Sequence, residues 1–297
     1  MTPAQRDDLM GTLTDIDERF SGSLHVSARS LNGTGAVELN STAPVATASV
    51  IKIPILLTAL RHAELGRIDL DRVSSPARDH GVQGSGILRL LRSDLQVTFE
   101  DLLVLMIATS DNIATNAVLA EIPGGVDEVN RMMDAVGLRR IRLRNPVDLD
   151  LIADDPELLG VAPVNQLRAL MDAVQSRTAV SPWVSGRAEQ ILTTQLYLDQ
   201  VTKFYKVNPY AAELAALAPL TVASKTGFVP GTRVDAGIVR WRTGGFVYAC
   251  AAVGSLDESF ASDAEPSLAL ADAGVALLEA FWTGPDIPLV PGAHRHV

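Results

Sequence analysis

The sequence has a single cysteine, Cys250, so no disulfide bond can form within the chain. This residue lies in the apolar run 246–253, where we expect it to be a small, buried core residue. Also missing are C-x-x-C pairs, Walker-type or dinucleotide-binding glycine patterns, and histidine pairs at metal-ligand spacing. We therefore expect no metal, nucleotide or other cofactor.

Positive charge is scarce as well, because the 297 residues carry a formal net charge of −10 at pH 7. Nucleic acids and anionic membranes repel such a protein, so a small-molecule or peptide substrate is the better match. The sequence contains no apolar run of membrane-spanning length and no signal-peptide pattern at its start. We expect a cytoplasmic protein, or a secreted one if an export signal has been removed; the sequence does not indicate its oligomeric state.

The spacing of apolar residues predicts strands towards both ends of the chain. A helix over residues 3–20 precedes a hairpin with strands near 24–29 and 35–40. Three later strands and a final helix are predicted over 220–225, 234–241, 246–253 and 264–281.

Helical patterns dominate the middle of the chain. The predicted helices cover 51–65, 98–108, 112–121, 126–136, 163–174 and 183–192. Residues 74–86 and 144–160, rich in turn-forming residues, are predicted to be ordered loops. We therefore expect an α/β (α+β) fold: residues 1–47 and 197–297 build an antiparallel sheet flanked by helices, and residues 48–196 form an inserted all-helical domain.

Ser49 and Lys52 form an S-x-x-K pattern at the start of an apolar helix. Positions three apart share a helix face, so Lys52 Nζ can reach Ser49 Oγ, and Pro54 is tolerated because first-turn N–H groups have no intrahelical partner. Those N–H groups and the positive helix end disfavour a protonated lysine and can hold an oxyanion. The pattern predicts a nucleophile at Ser49, although two fixed positions also recur by chance.

Two further polar triplets follow apolar elements. Ser110, Asp111 and Asn112 come after the helix predicted over 98–108, and Lys225, Thr226 and Gly227 end a predicted strand before the turn at 230–231. Such triplets tend to face a cleft. The alternative is structural: S-D-N is a good helix cap, and K-T-G could be a strand end with a turn.

In this order, the three patterns resemble those of the class A β-lactamases and penicillin-binding proteins. The separations between the motifs are also similar, and the resemblance covers nearly the whole chain. It implies a β-lactamase-like fold with the active site in the cleft between the sheet domain and the helical domain. It also implies a serine hydrolase of the β-lactamase family.

By this resemblance, Ser49 attacks a carbonyl and forms an acyl-enzyme, with Lys52 as the base or proton relay. Ser110 passes a proton to the leaving nitrogen. Asn112 binds the acyl-side amide of the substrate and helps to orient Lys52. Lys225 keeps the field positive beside Ser110.

The resemblance assigns substrate binding to the strand that carries K-T-G. Thr226, next to Gly227, would bind a substrate carboxylate, and the backbone N–H groups of Ser49 and Phe228 would hold the oxyanion. Arg233, on the next strand, stands where many family members place a carboxylate-binding arginine; a surface ion pair is the alternative.

One departure from the family concerns deacylation. Class A enzymes carry an R-x-E pattern whose glutamate activates the deacylating water, whereas here Pro146 stands where that glutamate should be. Asp148 is a possible deacylation base, as is Asp150, but both have a shorter side chain, and solvated or helix-capping carboxylates are the alternative. Acylation by Ser49 and Lys52 needs no loop glutamate, so release of the acyl group is the step in doubt.

Three hypotheses about function follow. The first is a serine hydrolase or acyltransferase acting on an ester, amide or peptide carbonyl, with doubtful β-lactam turnover and with water, an amine or an alcohol as acceptor. The second is a functional β-lactamase that uses a loop aspartate. The third is a protein that binds β-lactams or peptidoglycan-like ligands without turnover. Ser85, Tyr205 and Tyr210 either line the cleft or are structural.

Overall fold

The structure, a computed structural model, describes residues 1–33, 35–207 and 219–293. The chain divides into two compact units. The first unit comprises Met1–Val45, Pro163–Met171 and Tyr197–Val297. The second comprises Ala46–Ala162 and Asp172–Leu196. Tyr210 lies outside the described residues.

The helices match the predicted ones closely. They are α1 (Pro3–Arg19), α2 (Lys52–Glu64), α3 (Pro76–Asp79), α4 (Phe99–Ala108), α5 (Asn112–Glu121), α6 (Gly125–Ala135), α7 (Leu149–Asp154), α8 (Val164–Gln175), α9 (Pro182–Leu192) and α10 (Glu265–Phe281). Of these, α3 and α7 lie within the segments predicted to be loops. The other predicted helices are confirmed to within two residues at each end.

The strands include several that the sequence pattern did not indicate. They are β1 (Ser23–Ser30), β2 (Ala36–Leu39), β3 (Pro44–Ala46), β4 (Val73–Ser74), β5 (Val97–Thr98), β6 (Arg142–Leu143), β7 (Gly160–Pro163), β8 (Thr221–Val229), β9 (Thr232–Trp241) and β10 (Gly244–Val253). The unpredicted strands β3 to β7 have two to four residues each, which is too short for an alternating pattern to emerge.

The first unit contains an antiparallel sheet with the strand order β2-β1-β10-β9-β8. Strands from both ends of the chain therefore meet in one sheet, as predicted. Register places Val26 opposite Cys250, Cys250 opposite Asp235, and Asp235 opposite Thr226. Because directly opposed residues point to the same side of a sheet, these four side chains share one face.

Helices α1 and α10 pack against each other and against this sheet. The core between them includes Leu13, Ile16, Leu277, Tyr248 and Cys250, all buried. The prediction that Cys250 is a buried core residue is confirmed, and burial raises the pKa of its thiol well above the ordinary value. This first unit forms its own hydrophobic core.

The second unit is built around α2, which packs against α4, α5, α6 and α9. Every side chain of α2 from Ile53 to Leu60 is buried, and all of them except Thr58 are apolar. A helix that is apolar all round belongs in an interior rather than on a surface. The helix that begins with Lys52 is therefore the central element of this unit.

The K-T-G motif lies inside a strand, which corrects the prediction that it ends one. Strand β8 continues to Val229, and the turn falls at Pro230 and Gly231, where Gly231 has a φ of +62°. The glycine in K-T-G resembled a turn residue, but Phe228 and Val229 extend the pairing with β9. Within the described residues, no helix is long and apolar enough to cross a membrane.

Candidate active site

Ser49 lies in a 3-10 turn, Ala48–Ile51, that leads directly into α2. It is partly exposed, whereas every other residue from Val45 to Leu60 is buried. Because Ser49 is in the first turn, its backbone N–H has no partner within the helix. The preceding Ala48 has a φ of +43°, a strained value for a residue with a side chain. The fold thus places the partly exposed Ser49 hydroxyl at the start of a buried helix.

Lys52 is fully buried, and its Nζ atom donates to three oxygens of the S-D-N motif. The distances are 2.7 Å to Ser110 O, 3.1 Å to Ser110 Oγ and 3.0 Å to Asn112 Oδ1. A buried amine needs such partners because leaving its hydrogens unsatisfied is costly. The structure therefore brings Lys52 together with Ser110 and Asn112, which lie 58 and 60 residues further along the sequence.

The S-D-N motif is also a helix cap, as the structural alternative from the sequence predicted. Asp111 is the N-cap residue of α5, and its carboxylate accepts from the Ala114 N–H at 3.0 Å. Ser110, between α4 and α5, has a φ of +54°, which turns its carbonyl and hydroxyl towards Lys52. The cap fixes the backbone from which the two polar side chains reach Lys52.

The loop around Ser85, a residue predicted either to line the cleft or to be structural, contacts all three motif residues. Ser85 Oγ donates to Ser110 O at 2.7 Å, and the Gln83 carbonyl accepts from Asn112 Nδ2 at 3.1 Å. The Ile87 and Leu88 N–H groups donate to the buried Asp111 carboxylate. The glycines that flank Ser85 indicated a loop in the sequence, but not which residues the loop contacts.

Strand β8 is the last strand of its sheet, so alternate N–H groups face its open edge. Two-residue turns close the pairs Val229–Thr232 and Trp241–Gly244, and closing pairs of this kind are hydrogen-bonded. Counting from either turn, the pair of Phe228 and Arg233 is not hydrogen-bonded. The Phe228 N–H therefore points away from β9, to the outside of the sheet.

Lys225 and Thr226 are both buried on β8. Lys225 Nζ donates to Thr226 O at 2.7 Å. Burial lowers the pKa of Lys225 to about 7, partly offset by the negative field of Asp235. The Thr226 hydroxyl has no hydrogen-bond partner among the described residues, so it is available to a ligand or a water molecule. The carbonyl of Gly227 accepts from Gln200 Nε2 at 3.1 Å.

Asp235, opposite Thr226, is a buried carboxyl group that the sequence analysis missed. Its two oxygens accept from Tyr248 Oη at 3.1 Å and from the Val201 N–H at 3.2 Å. Burial raises the pKa of Asp235 to about 7, although these two hydrogen bonds lower it. An aspartate within an apolar strand was the available signal, but its partners are distant in sequence.

Arg233 is buried, and protein groups engage its guanidinium. Nε donates to Ser267 Oγ at 3.1 Å, Nη1 to the Val229 and Thr232 carbonyls, and Nη2 to Ser259 O. The cation also lies 5.2 Å from the ring centre of Phe228. These contacts tie the β8–β9 hairpin to α10, and the carboxylate-binding role of Arg233 stays a prediction.

Side-chain hydrogen bonds order the loop around Pro146. Asn116 forms two hydrogen bonds with the Val147 backbone, both at 2.9 Å. Asp148 is exposed and caps α7, accepting from the Asp150 N–H at 3.0 Å. This geometry agrees with the helix-capping alternative for Asp148. The role of Asp148 as a deacylation base stays a prediction. Asp150 is exposed in the first turn of α7.

Tyr205 was predicted either to line the cleft or to be structural. Tyr205 is buried in the core of the first unit, and its hydroxyl donates to Gly274 O at 2.6 Å. In the part of the chain that the structure describes, no three His, Cys, Asp or Glu side chains gather into a metal-binding group.

The chain belongs to the β-lactamase enzyme family, which it matches over residues 8–281. Family membership and fold imply a serine hydrolase, and the resemblance inferred from the three motifs is confirmed. No curated protein sequence matches the chain significantly.

Solved structures confirm the β-lactamase-like fold. A β-lactamase from Sphaerobacter thermophilus DSM 20745 has 22% identity and a TM-score of 0.79, with 93% of this chain and 97% of that chain covered. PBP-A has 20% identity and a TM-score of 0.77, with coverages of 92% and 96%. The TLA-1 extended-spectrum β-lactamase has 14% identity and a TM-score of 0.78, with coverages of 93% and 98%. At these identities, the likeness concerns the fold alone.

Proposed function

We propose that the protein is a serine hydrolase or acyltransferase that forms a Ser49 acyl-enzyme on an ester, amide or peptide carbonyl. Ser49 Oγ bonds to the carbonyl carbon as the bond to the leaving group breaks. The hydroxyl proton passes to Lys52 and, through Ser110, to the leaving atom. The N–H groups of Ser49 and Phe228 stabilise the oxyanion, and Lys225 contributes positive charge.

One observation carries this proposal: the buried Lys52 amine contacts Ser110 Oγ and Asn112 Oδ1, one helical turn after the partly exposed Ser49. Burying an amine is costly unless its hydrogens are bonded, and these two motif side chains supply such partners. Strain at Ala48 and Ser110, next to or within the motifs, is a further supporting feature.

Deacylation by water is the weak step in this proposal. The loop has Pro146 where the class A glutamate would stand, and Asp148 Oδ1 is occupied in capping α7. A structural neighbour, a variant of PBP-A, is described as an acyl-enzyme complex with penicillin G. We infer that β-lactams acylate Ser49 and that the acyl group is then released slowly. We also infer that the natural substrate is an ester, amide or peptide.

The decisive experiment follows the intact-protein mass after mixing with a chromogenic cephalosporin and, separately, with an activated ester. We expect a persistent mass increase equal to the acyl group, with little cephalosporin turnover. Ser49→Ala should abolish the adduct, whereas Ser176→Ala, at an exposed serine on the C-terminal side of α8, should leave it unchanged.

Other results would redirect the assignment. Fast cephalosporin turnover without an adduct would contradict slow deacylation and identify a functional β-lactamase. No adduct with either reagent would contradict the acyl-enzyme proposal and favour ligand binding without turnover, which calorimetry with Ser49→Ala would then measure.

The β-lactamase alternative has its own test at Asp148. Asparagine caps helices as well as aspartate does, so Asp148→Asn removes the charge and keeps α7. If cephalosporin hydrolysis is unchanged, Asp148 takes no part in deacylation; a fall of about a hundredfold would identify it as the base.

A further inference from the structure

The serine of the Gly84-Ser85-Gly86 loop shares its hydrogen-bond acceptors with Lys52. Ser85 Oγ lies 2.7 Å from Ser110 O and 3.2 Å from Asn112 Oδ1. Lys52 Nζ donates to the same two oxygens, at 2.7 Å and 3.0 Å. Two donors from separate segments therefore converge on one pair of acceptors.

The orientation of the Asn112 amide is fixed by a third group. The Gln83 carbonyl can only accept a hydrogen, and it lies 3.1 Å from the Asn112 side chain, so the amide nitrogen must face it. The amide oxygen then faces Lys52 and Ser85. This makes the convergence a property of the hydrogen-bond pattern rather than of an arbitrary choice of amide orientation.

The loop is built to approach the motif closely. Gly84 has a φ of +95°, and a Cβ atom there would lie 2.6 Å from Asn112 Nδ2. Gly86 has a φ of +110°, and a Cβ atom there would lie 2.3 Å from Asp111 Cγ. The Asn112 N–H also donates to Ser85 O at 3.0 Å. Only glycine on both sides allows Ser85 to reach this position.

Counting hydrogens shows what the shared acceptors accomplish. A protonated Lys52 has three hydrogens for Ser110 O, Ser110 Oγ and Asn112 Oδ1, whereas a neutral amine has two and a lone pair. While the lone pair of a neutral Lys52 faces the Ser49 hydroxyl, as proton transfer from Ser49 requires, the two remaining hydrogens leave one of these three oxygens without a hydrogen from Lys52. The Ser85 hydroxyl has one hydrogen, which can point to Ser110 O or to Asn112 Oδ1. It can therefore replace the hydrogen that a neutral Lys52 no longer donates.

We propose that Ser85 is a positioning residue that keeps Ser110 and Asn112 hydrogen-bonded in the stage when Lys52 is neutral. The proposal rests on the proposed function of Lys52 as a proton relay. Asp111, the charged side chain of the motif, is held by the Ile87, Leu88 and Ala114 N–H groups and keeps its bonds throughout. Ser85 thus favours the proton-accepting form of Lys52 without touching the substrate.

The test compares Ser85→Ala with Ser85→Thr, which keeps a hydroxyl. We expect Ser85→Ala to lower the rate of Ser49 acylation by an activated ester about tenfold at pH 7. The rising limb of its pH–rate profile should move to higher pH, because the neutral form of Lys52 loses support. Ser85→Thr should restore both the rate and the limb.

Ser185→Ala is the matched control, because that buried hydroxyl donates to the Ala179 and Ser181 carbonyls, both outside the motifs. It should lower the Tm without moving the rising limb. A Ser85→Ala profile that falls uniformly, with the limb in place, would mean that Ser85 is merely structural and would overturn the proposal.

A second measurement keeps the proposal independent of acylation. The chain has four lysines, so the Lys52 side chain can be followed by heteronuclear NMR and assigned with Lys52→Arg. The titration midpoint of Lys52 should move to higher pH in Ser85→Ala; an unmoved midpoint would overturn the role of Ser85 even if the wild type forms an adduct. Failure of the wild type to form an adduct, with the midpoint moved, would instead overturn the proposed function.

Discussion

Two of the four lysines are fully buried, one in each unit, and their surroundings differ. Lys52 Nζ donates to three oxygens, one of them a serine hydroxyl and one an amide oxygen. Lys225 Nζ donates to the carbonyl of its neighbour Thr226, and its other electrostatic partner is the field of Asp235. The Lys52 amine belongs to a network that includes side chains. The Lys225 amine bonds to a backbone carbonyl and is stabilised by the negative charge of Asp235.

This difference indicates two uses of the same residue type. A hydroxyl such as Ser110 can both give and receive a hydrogen, so the Lys52 network can carry a proton. A backbone carbonyl only accepts, so the contact with Thr226 O gives Lys225 no such route, and we expect Lys225 to act through its charge. Since burial lowers the pKa of Lys225 to about 7, that charge is itself sensitive to pH near neutrality.

The largest effect is expected from removing the proton-carrying capacity of Lys52. Arginine stays protonated at all accessible pH values, so Lys52→Arg keeps the charge and loses the base. We expect Ser49 acylation by an activated ester to fall about a thousandfold. Lys203→Arg is the control, because Lys203 donates to the Ser262 carbonyl and belongs to none of the three motifs. If the Lys52→Arg variant keeps more than a tenth of the wild-type rate, Lys52 acts through its positive charge, as expected for Lys225, and not as a base.

A smaller effect, with a pH signature, is expected at Lys225. A group with a pKa of about 7 is charged below that pH and neutral above it, so wild-type acylation should decline as the pH rises through 7. Lys225→Arg should remove this decline, because arginine keeps its charge. The measurement is the acylation rate of both proteins from pH 5.5 to 9. Identical declining limbs would show that Lys225 does not act through its charge.

The sequence predicted the elements and the three motifs because both depend on local patterns. Apolar periodicity located helices such as α4 and α5, and the polar triplets stood out against those apolar runs. The extent of β8 was missed, because Gly227 suggested a turn that tertiary pairing with β9 overrides.

What the sequence could not predict are contacts between distant segments. Ser85 looked like a loop residue, and its hydrogen bonds reach residues 25 and 27 positions away. Asp235 stood in an apolar strand, and its partner Tyr248 lies on the next strand, where pairing register alone brings them together. Neither relation leaves a periodic or compositional trace.

The next prediction concerns the stability of the unit that holds Lys225. The pKa of Asp235 is raised from 3.8 to about 7, so the folded state binds more protons than the unfolded state between these values. The free energy of unfolding should therefore fall as the pH rises from 4 to 7, by up to about 1.4 kcal/mol per unit. Asp235→Asn should remove this slope in denaturant unfolding curves.

The control for this slope is Asp257→Asn. Asp257 has a lowered pKa, because the Glu265 N–H and Ser259 donate to it, so its contribution is lost only at acidic pH. Lys225 changes the free energy of unfolding in another pH range, between pH 7 and 10.5. There its lowered pKa makes stability rise with pH. If the slope between pH 4 and 7 survives Asp235→Asn, the buried carboxyl is not its source.

The smallest effect is expected from Tyr248→Phe, which removes one hydrogen bond to Asp235. The unfolding free energy should drop by about 1 kcal/mol, and by more at pH 8 than at pH 5, because an ionised carboxylate loses more than a neutral one when a donor is removed. Tyr205→Phe is the matched control: it removes an equally buried hydroxyl bond, to Gly274 O, which does not titrate. Equal pH dependence in the two variants would show that Asp235 stays in one protonation state. Ionisation of Asp235 near neutral pH would then have no effect on the pKa of Lys225.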